Sequence, residues 1–183
     1  MQTIAPGITF ALPLDDPDTT LAALERELEL SDEEVDLGGG RVRMPRRTGW
    51  YGDPGAIYTY TGVTNEPKPW TPALAALRAR LDALLGTRLN SCLVGWYADG
   101  ESNVDWHADD EPELRDRIVS VSLGATRTFQ LRDGREGTPI DVPLVHGSVL
   151  VMSVESQRRW QHAIPREPAA GPRMNLTFRT IAR

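Results

Sequence analysis

"WTPALAALRARLDALLGTRLNSCLVGWY", residues 70–97, changes its period halfway, and that change decides the fold. Up to Gly86 the leucines recur at helical spacing, with Leu74, Leu77, Leu81 and then Leu84 or Leu85 in one stripe. Thr71 offers an oxygen to cap the start, Pro72 suits a first turn that needs no amide hydrogen, and Gly86 suits the stop. Beyond Gly86 the segments shorten to strand length: "LNSCLVGWY", "RIVSVSLG", "TRTFQL", "TPIDVPL", "GSVLVMSV" and "RMNLTFRTI", parted by Gly, Pro, Asp or Asn. Upstream, "DTTLAALERELEL" reads as another helix, with Asp18 or Thr19 as N-cap and Leu21, Leu24 and Leu28 on one face. The expected class is mainly β with flanking helices: an antiparallel sandwich or jelly roll with two N-terminal helices on the outside of one sheet.

A chain of 183 residues fits one domain with a sizeable core, so residues 1–44, an N-terminal helix and loop, are expected to belong with residues 45–183. Three consecutive glycines, Gly38 to Gly40, break the pattern, and "DLGGGRVRMPRR" is read as a flexible loop. Asp53, Pro54 and Gly55 supply a turn before "AIYTYT", which reads as a strand.

Cys92 is the single cysteine, which excludes an internal disulfide framework and any multi-thiolate metal site, and it suits a buried apolar position in a reducing compartment. No basic segment precedes an apolar run at the start, and no stretch reaches the roughly 20 apolar residues of a membrane span. The expectation is an unexported, cytoplasmic protein without a membrane partner, and a monomer. A net charge of −6 does not favour binding of polyanions by bulk charge. Locally, however, Arg41, Arg43, Arg46 and Arg47 cluster in "RVRMPRR", and arginines at such density can serve phosphates or carboxylates as well as a solvated face.

In "DGESNVDWHADDE", a loop between two strands on this reading, His107 and Asp109 stand two residues apart, so an imidazole and a carboxylate can point to the same side. His162 in "RRWQHAIP" follows the apolar strand "GSVLVMSV" and is a candidate third ligand. Two histidines and one carboxylate with open positions suit non-haem Fe(II), although zinc hydrolases also use such sets. His146 in "LVHGS" reads as a turn residue. "RMNLTFR" puts Arg173, Asn175, Thr177 and Arg179 on one strand face and Met174, Leu176 and Phe178 on the other. Arg173 and Arg179 lie up to about 20 Å apart along the strand, so inward-leaning side chains could bracket a small dicarboxylate such as 2-oxoglutarate.

With "MPRRTGWYGDPG", "YTYTG", "PKPW", "WYADGESNV", "WHADDE", "VSLGATRTF", "HGSVLVM", "WQHAIP" and "RMNLTFR", the chain from about Pro45 onward resembles the AlkB family of Fe(II)/2-oxoglutarate-dependent nucleic-acid dealkylases, most closely its eukaryotic-type repair branch. The resemblance implies a double-stranded β-helix with Fe(II) held by His107, Asp109 and His162. It implies 2-oxoglutarate held by Tyr97, Arg173, Thr177 and Arg179, with Asn175 contributing. It further implies oxidative demethylation of N1-methyladenine and N3-methylcytosine in DNA or RNA, with release of formaldehyde, succinate and carbon dioxide.

A base edge inside a duplex cannot reach a buried metal, so the nucleotide must be flipped and stacked on an aromatic face. By resemblance Tyr60 stacks on the base opposite His107, and Tyr58 makes a polar contact. Those methylated bases are cationic, and Asp110 or Glu111 beside the pocket could favour that form. In two places the chain departs from the family. Gly95 stands where an Asn contacting 2-oxoglutarate is common, and only Leu37 or Val35 could act as the apolar wedge that invades a duplex. Single-stranded or weakly paired substrates are therefore expected, with Arg41, Arg43, Arg46 and Arg47 on phosphates. The competing readings are a 2-oxoglutarate oxygenase acting on protein, lipid or small molecules, and a non-catalytic nucleic-acid-binding module.

Overall fold

Gly86 adopts φ 66° and ψ 34°, the left-handed conformation that ends a helix, and the strands begin after it. The structure, a computed structural model, describes residues 1–11, 13–36, 41–60 and 63–182, and for residues 33–36, 41–43, 58–60, 63 and 64 the backbone alone. In chain order the elements are β1 (Gln2–Ala5), β2 (Ile8–Phe10), α1 (Pro17–Glu27), β3 (Ser31–Asp36), β4 (Arg41–Gly52), β5 (Tyr58–Tyr60), β6 (Val63–Asn65) and α2 (Pro72–Leu85). They continue with β7 (Ser91–Tyr97), β8 (Val104–His107), β9 (Leu114–Gly124), β10 (Arg127–Asp133), β11 (Ile140–Leu144), β12 (Val149–Ser153), a short 3-10 helix (Val154–Arg158), β13 (Trp160–Ile164) and β14 (Arg173–Ile181).

An eight-stranded sheet in the order β1-β2-β12-β9-β14-β7-β4-β3 faces a four-stranded sheet in the order β11-β10-β13-β8, and all the paired strands are antiparallel. The strand β12 shows how one sheet serves two layers. Val149 and Val151 pack toward the helices, while Leu150 and Met152 pack toward the smaller sheet. On the helix side, Leu24 of α1 and Leu74, Leu77 and Leu81 of α2 join Val94, Val119, Val121, Leu176 and Phe178. On the other side, Ile118 and Met152 meet Phe129, Leu131, Val142 and Ile164. Each large apolar side chain buried in these layers contributes about 1.5–3 kcal/mol. The jelly roll and the two helices on one sheet agree with the sequence expectation.

Several local expectations need correction. The helix α1 starts earlier than Asp18 or Thr19: Asp16 is the cap residue, without a side-chain cap bond, and Pro17 occupies the first turn. The stretch read as a loop around "RVRMPRR" is strand β4, paired with β3 on one side and β7 on the other. Pro45 falls between Arg43 and Arg47, where the β3–β4 register shifts, so a residue lacking an N–H is accommodated within the strand. Gly38 to Gly40 and Leu37 lie outside the described residues. His107 closes a strand rather than sitting in a loop, and "WQHAI" is a strand as well.

"RMNLTFR" is a central strand: β14 lies between β7 and β9. Met174, Leu176 and Phe178 enter the helix-side core as their alternation requires. Cys92 is a fully buried filler in the same layer, and burial pushes its thiol far above the ordinary range, which leaves it inert. No helix among the described residues is long and apolar enough to cross a membrane.

Candidate active site

The antiparallel register of β8 and β13 sets His107 directly opposite His162. Their ring centroids are 4.2 Å apart, and the His162 ring stacks on Phe129 at 5.1 Å. Asp109 follows β8 by two residues, is buried, and brings Oδ1 to 3.8 Å from His107 Nε2. One ligand atom from each of the three residues lies within 4.8 Å of the others, close enough to hold one ion.

The surroundings set the protonation states. A carbonyl oxygen can only accept, so the 2.8 Å contact to Asp105 O puts the His107 proton on Nδ1 and leaves the Nε2 lone pair for a metal. Burial, with His107 next to it, pushes His162 down to about 3 despite the opposing pull of Asp109, so His162 is neutral as a ligand must be. Burial alone would raise the Asp109 carboxyl, but Arg179, followed by His162 and His107, outweighs it and holds the group well below the usual carboxylate range. Arg179 Nη2 donates to Asp109 Oδ2 at 2.9 Å, and the Asp109 N–H donates to Gln157 Oε1 at 3.1 Å.

The second half of the site is the polar face of β14. Arg173 Nη2 donates to Ser122 Oγ at 2.9 Å and to Asn175 Oδ1 at 2.7 Å. Ser120 Oγ also donates to Asn175 Oδ1, and Asn175 Nδ2 donates onward to Thr177 Oγ1 at 2.8 Å. Tyr97, directly opposite Arg173 in the β7–β14 register, lies under its guanidinium at 5.0 Å from ring centroid to Cζ. Arg173 Nε and Nη1 are buried without a hydrogen-bond partner. Burial pulls the Arg173 guanidinium below its usual range, and an anion at those atoms relieves both penalties.

His107, Asp109 and His162 line the same cavity as Tyr97, Arg173, Asn175, Thr177 and Arg179, a cleft that is partly open to solvent. Arg46 also lines it, so its side chain is in the cleft. Arg47, in contrast, is exposed and donates to Leu30 O. The lining does not include Asp110, which is exposed, or Glu111, which is half-buried. Tyr58 and Tyr60 pair with Asn65 and Val63 across β5 and β6, but their side chains lie outside the described residues, as do those of Val35, Arg41 and Arg43. Residues that sequence reasoning did not single out are Gln157, Ser120 and Ser122. None of them stands in a recognisable spacing to the ligands: the β9–β14 register brings Ser120 and Ser122 there, and the short 3-10 helix after β12 brings Gln157.

The donor set fits a divalent metal and a dicarboxylate. Two imidazoles and an ionised carboxylate suit Fe(II), His162 Nδ1 is buried with no partner, and Arg173 has two unpartnered donors and lines the same cavity. Non-haem Fe(II) oxygenases hold their metal with two histidines and one carboxylate and keep positions open, and this cluster has that composition on a jelly roll.

The chain belongs to the 2OG-Fe(II) oxygenase superfamily, whose description matches residues 18–179, and within it to the AlkB family. It is 42% identical over 151 residues to alpha-ketoglutarate-dependent dioxygenase alkB homolog 3 of Mus musculus, covering 75% of this chain and 52% of that protein. It is 38% identical over 178 residues to DNA oxidative demethylase ALKBH2 of Homo sapiens, covering 90% of this chain and 68% of that protein. The chain thus spans about half the length of the mouse relative. The solved structure of OsALKBH1 superposes with a TM-score of 0.63 over 98% of this chain and 99% of that one, at 20% identity, a likeness of fold. Fe(II) and 2-oxoglutarate are the cofactor and co-substrate of this superfamily.

Proposed function

We propose that this chain oxidatively demethylates N-alkylated bases such as N1-methyladenine and N3-methylcytosine in DNA or RNA, acting as a monomer on single-stranded or weakly paired substrates. The observation that carries this reading is the cluster of half-buried His107 with buried Asp109 and His162, opening onto the same cleft as the Arg173 to Arg179 face of β14. The relatives support the substrate class, since the human one is named a DNA oxidative demethylase.

His107, Asp109 and His162 would hold Fe(II), and Arg173 with Tyr97, Asn175, Thr177 and Arg179 would hold 2-oxoglutarate. When bound, this pair supplies with O2 an oxygen atom to the N-methyl carbon, leaving succinate and carbon dioxide; the N-hydroxymethyl base then loses formaldehyde. The chain's own part is orientation. The Arg173–Asn175–Thr177 ladder is prearranged by its hydrogen bonds, so little ordering is left for the moment of binding. Tyr58 and Tyr60 would receive the flipped base, with Asp110 or Glu111 favouring a cationic one, and Arg41, Arg43 and Arg47 of β4 would meet the phosphates.

Incubation with Fe(II), 2-oxoglutarate and a panel of methylated oligonucleotides, read by mass for loss of a methylene unit, tests the reading. Succinate formed without any demethylation overturns the substrate class and leaves a 2-oxoglutarate oxygenase of another substrate. A marked preference for double-stranded oligonucleotides overturns the strand preference.

A further inference from the structure

Gly95 lies in the middle of the cavity wall, opposite Asn175 of β14 on one side and Thr48 of β4 on the other. Its backbone is not in the left-handed region that favours glycine. A Cβ built there would meet Tyr97 Cε2 at 3.4 Å, Arg46 Cδ at 3.6 Å and Arg46 Nε at 3.9 Å, all ordinary contacts. Neither backbone nor a methyl group therefore requires glycine at this position. What glycine leaves is space beyond Cβ, and the stem of Arg46 occupies it.

Arg46 stands two residues before Thr48 on β4, so both side chains share the cavity face, and the Arg46 side chain crosses toward Gly95. Its Nη1 is buried without a hydrogen-bond partner. A buried unpaired donor on a guanidinium is costly, and an atom closed off from solvent in the cleft is badly placed for a nucleic-acid phosphate outside it. An anion inside the cleft satisfies it. Arg173 also lines this cavity and has Nε and Nη1 buried without a hydrogen-bond partner, so two residues with unsatisfied guanidinium donors line one cavity.

Resting on the co-substrate reading above, we propose that Arg46 is a binding residue for a carboxylate of 2-oxoglutarate, reaching it across Gly95 through the space that a longer side chain at position 95 would fill. Arg46 and Gly95 act as a pair: the small residue admits the arginine, and the arginine supplies the contact that a polar side chain at 95 could otherwise make. This separates Arg46 from Arg47, whose exposed side chain bonds to Leu30 O and remains the candidate for outside anions.

The test is calorimetric titration of 2-oxoglutarate into protein loaded with Mn(II), which binds in place of Fe(II) without turnover. Arg46→Ala and Arg46→Met are expected to raise the Kd for 2-oxoglutarate about tenfold or more while leaving Mn(II) affinity unchanged. The double variant R46A/G95N is expected to recover a large part of that loss, because Asn then fills the vacated space. The retained Mn(II) affinity reports that each variant is folded. If Arg46→Ala and Arg46→Met leave the 2-oxoglutarate Kd unchanged and weaken binding of a single-stranded oligonucleotide instead, Arg46 is a nucleic-acid contact and the proposal is overturned while the co-substrate reading stands. If the wild type takes up no 2-oxoglutarate in the presence of Mn(II), both are overturned.

Discussion

Arg179 Nη2 donates to Asp109 Oδ2 at 2.9 Å, and both side chains are buried, so the strand expected to clamp the co-substrate also holds a metal ligand. The two arginines of β14 are therefore not equivalent. Removing Arg179 leaves Asp109 buried without its principal cation, and its carboxyl must rise from its depressed range or the fold must open. Arg179→Ala is expected to cost about 3–5 kcal/mol in urea unfolding and to weaken Mn(II) binding even without 2-oxoglutarate. Arg173→Ala makes no contact with Asp109 and is expected to spare Mn(II) affinity while weakening 2-oxoglutarate binding about tenfold or more. Equal effects of the two variants on Mn(II) affinity would contradict this division.

The metal-free protein is expected to lose stability on mild acidification. His162 titrates near 3 when folded against an ordinary 6.5, so between these values the unfolded chain binds a proton that the folded chain does not. Stability therefore rises with pH through this window and falls as pH drops below 6.5, at up to about 1.4 kcal/mol per pH unit for one proton. Asp109, also depressed, adds stability present above its unfolded pKa and lost as pH falls below about 4. Urea midpoints measured with a chelator from neutral pH to about pH 5 read the histidine contribution alone. His162→Gln should flatten that slope, and an unchanged slope would assign the acid sensitivity elsewhere.

How much was legible depended on whether the information was local. Helix α2 could be read because its cap, first-turn proline and closing glycine, Thr71, Pro72 and Gly86, are all in sequence reach. The His107–Asp109 pair and the β14 face could be read because their spacings are short, whereas His162 is brought to them by the β8–β13 register. The strands β1, β2 and β3 depend on partners elsewhere in the fold, β2 on β12 for example, and carry no local signal strong enough to show it. "RVRMPRR" was concealed by three glycines and four arginines, although its pairing with β7 makes it part of the main sheet. That pairing is also why Arg46 looked like a surface residue. Its approach to Gly95 follows from the β4–β7 register, which no single segment encodes.

Gln157 is the clearest residue hidden from sequence reasoning. It sits on the short 3-10 helix after β12, is buried, accepts from the Asp109 N–H, and donates to Ser156 Oγ at 3.1 Å. By fixing the backbone of Asp109 it fixes where the carboxylate can point. Gln157→Leu keeps a similar volume and is expected to weaken metal binding about tenfold, the usual cost of losing a group that orients a ligand. Mn(II) titration followed by electron paramagnetic resonance reads this directly. Full metal affinity in a folded variant would reduce Gln157 to a satisfied core amide.

Arg127 supports the site from beneath. It is fully buried, with Nε on Glu167 Oε2 at 2.8 Å and Nη2 on Ser102 O at 2.9 Å and Pro165 O at 2.6 Å. Its Cζ lies 5.9 Å from the Tyr97 ring centroid, so the residue ties the loops after β7 and β13 to the floor of the cleft. Arg127→Met should leave the carbonyls of Asp99, Ser102 and Pro165 and the Glu167 carboxylate without their cation and cost about 3–5 kcal/mol in urea unfolding. Arg127→Lys should recover little of it, because one ammonium cannot reach Glu167, Ser102 and Pro165 together as a planar fork does. Combining Arg127→Met with Glu167→Gln should cost much less than the sum of the separate changes, since both remove the same pair. Additive losses would mean that the two residues stabilise the fold independently and that the anchor is not a unit.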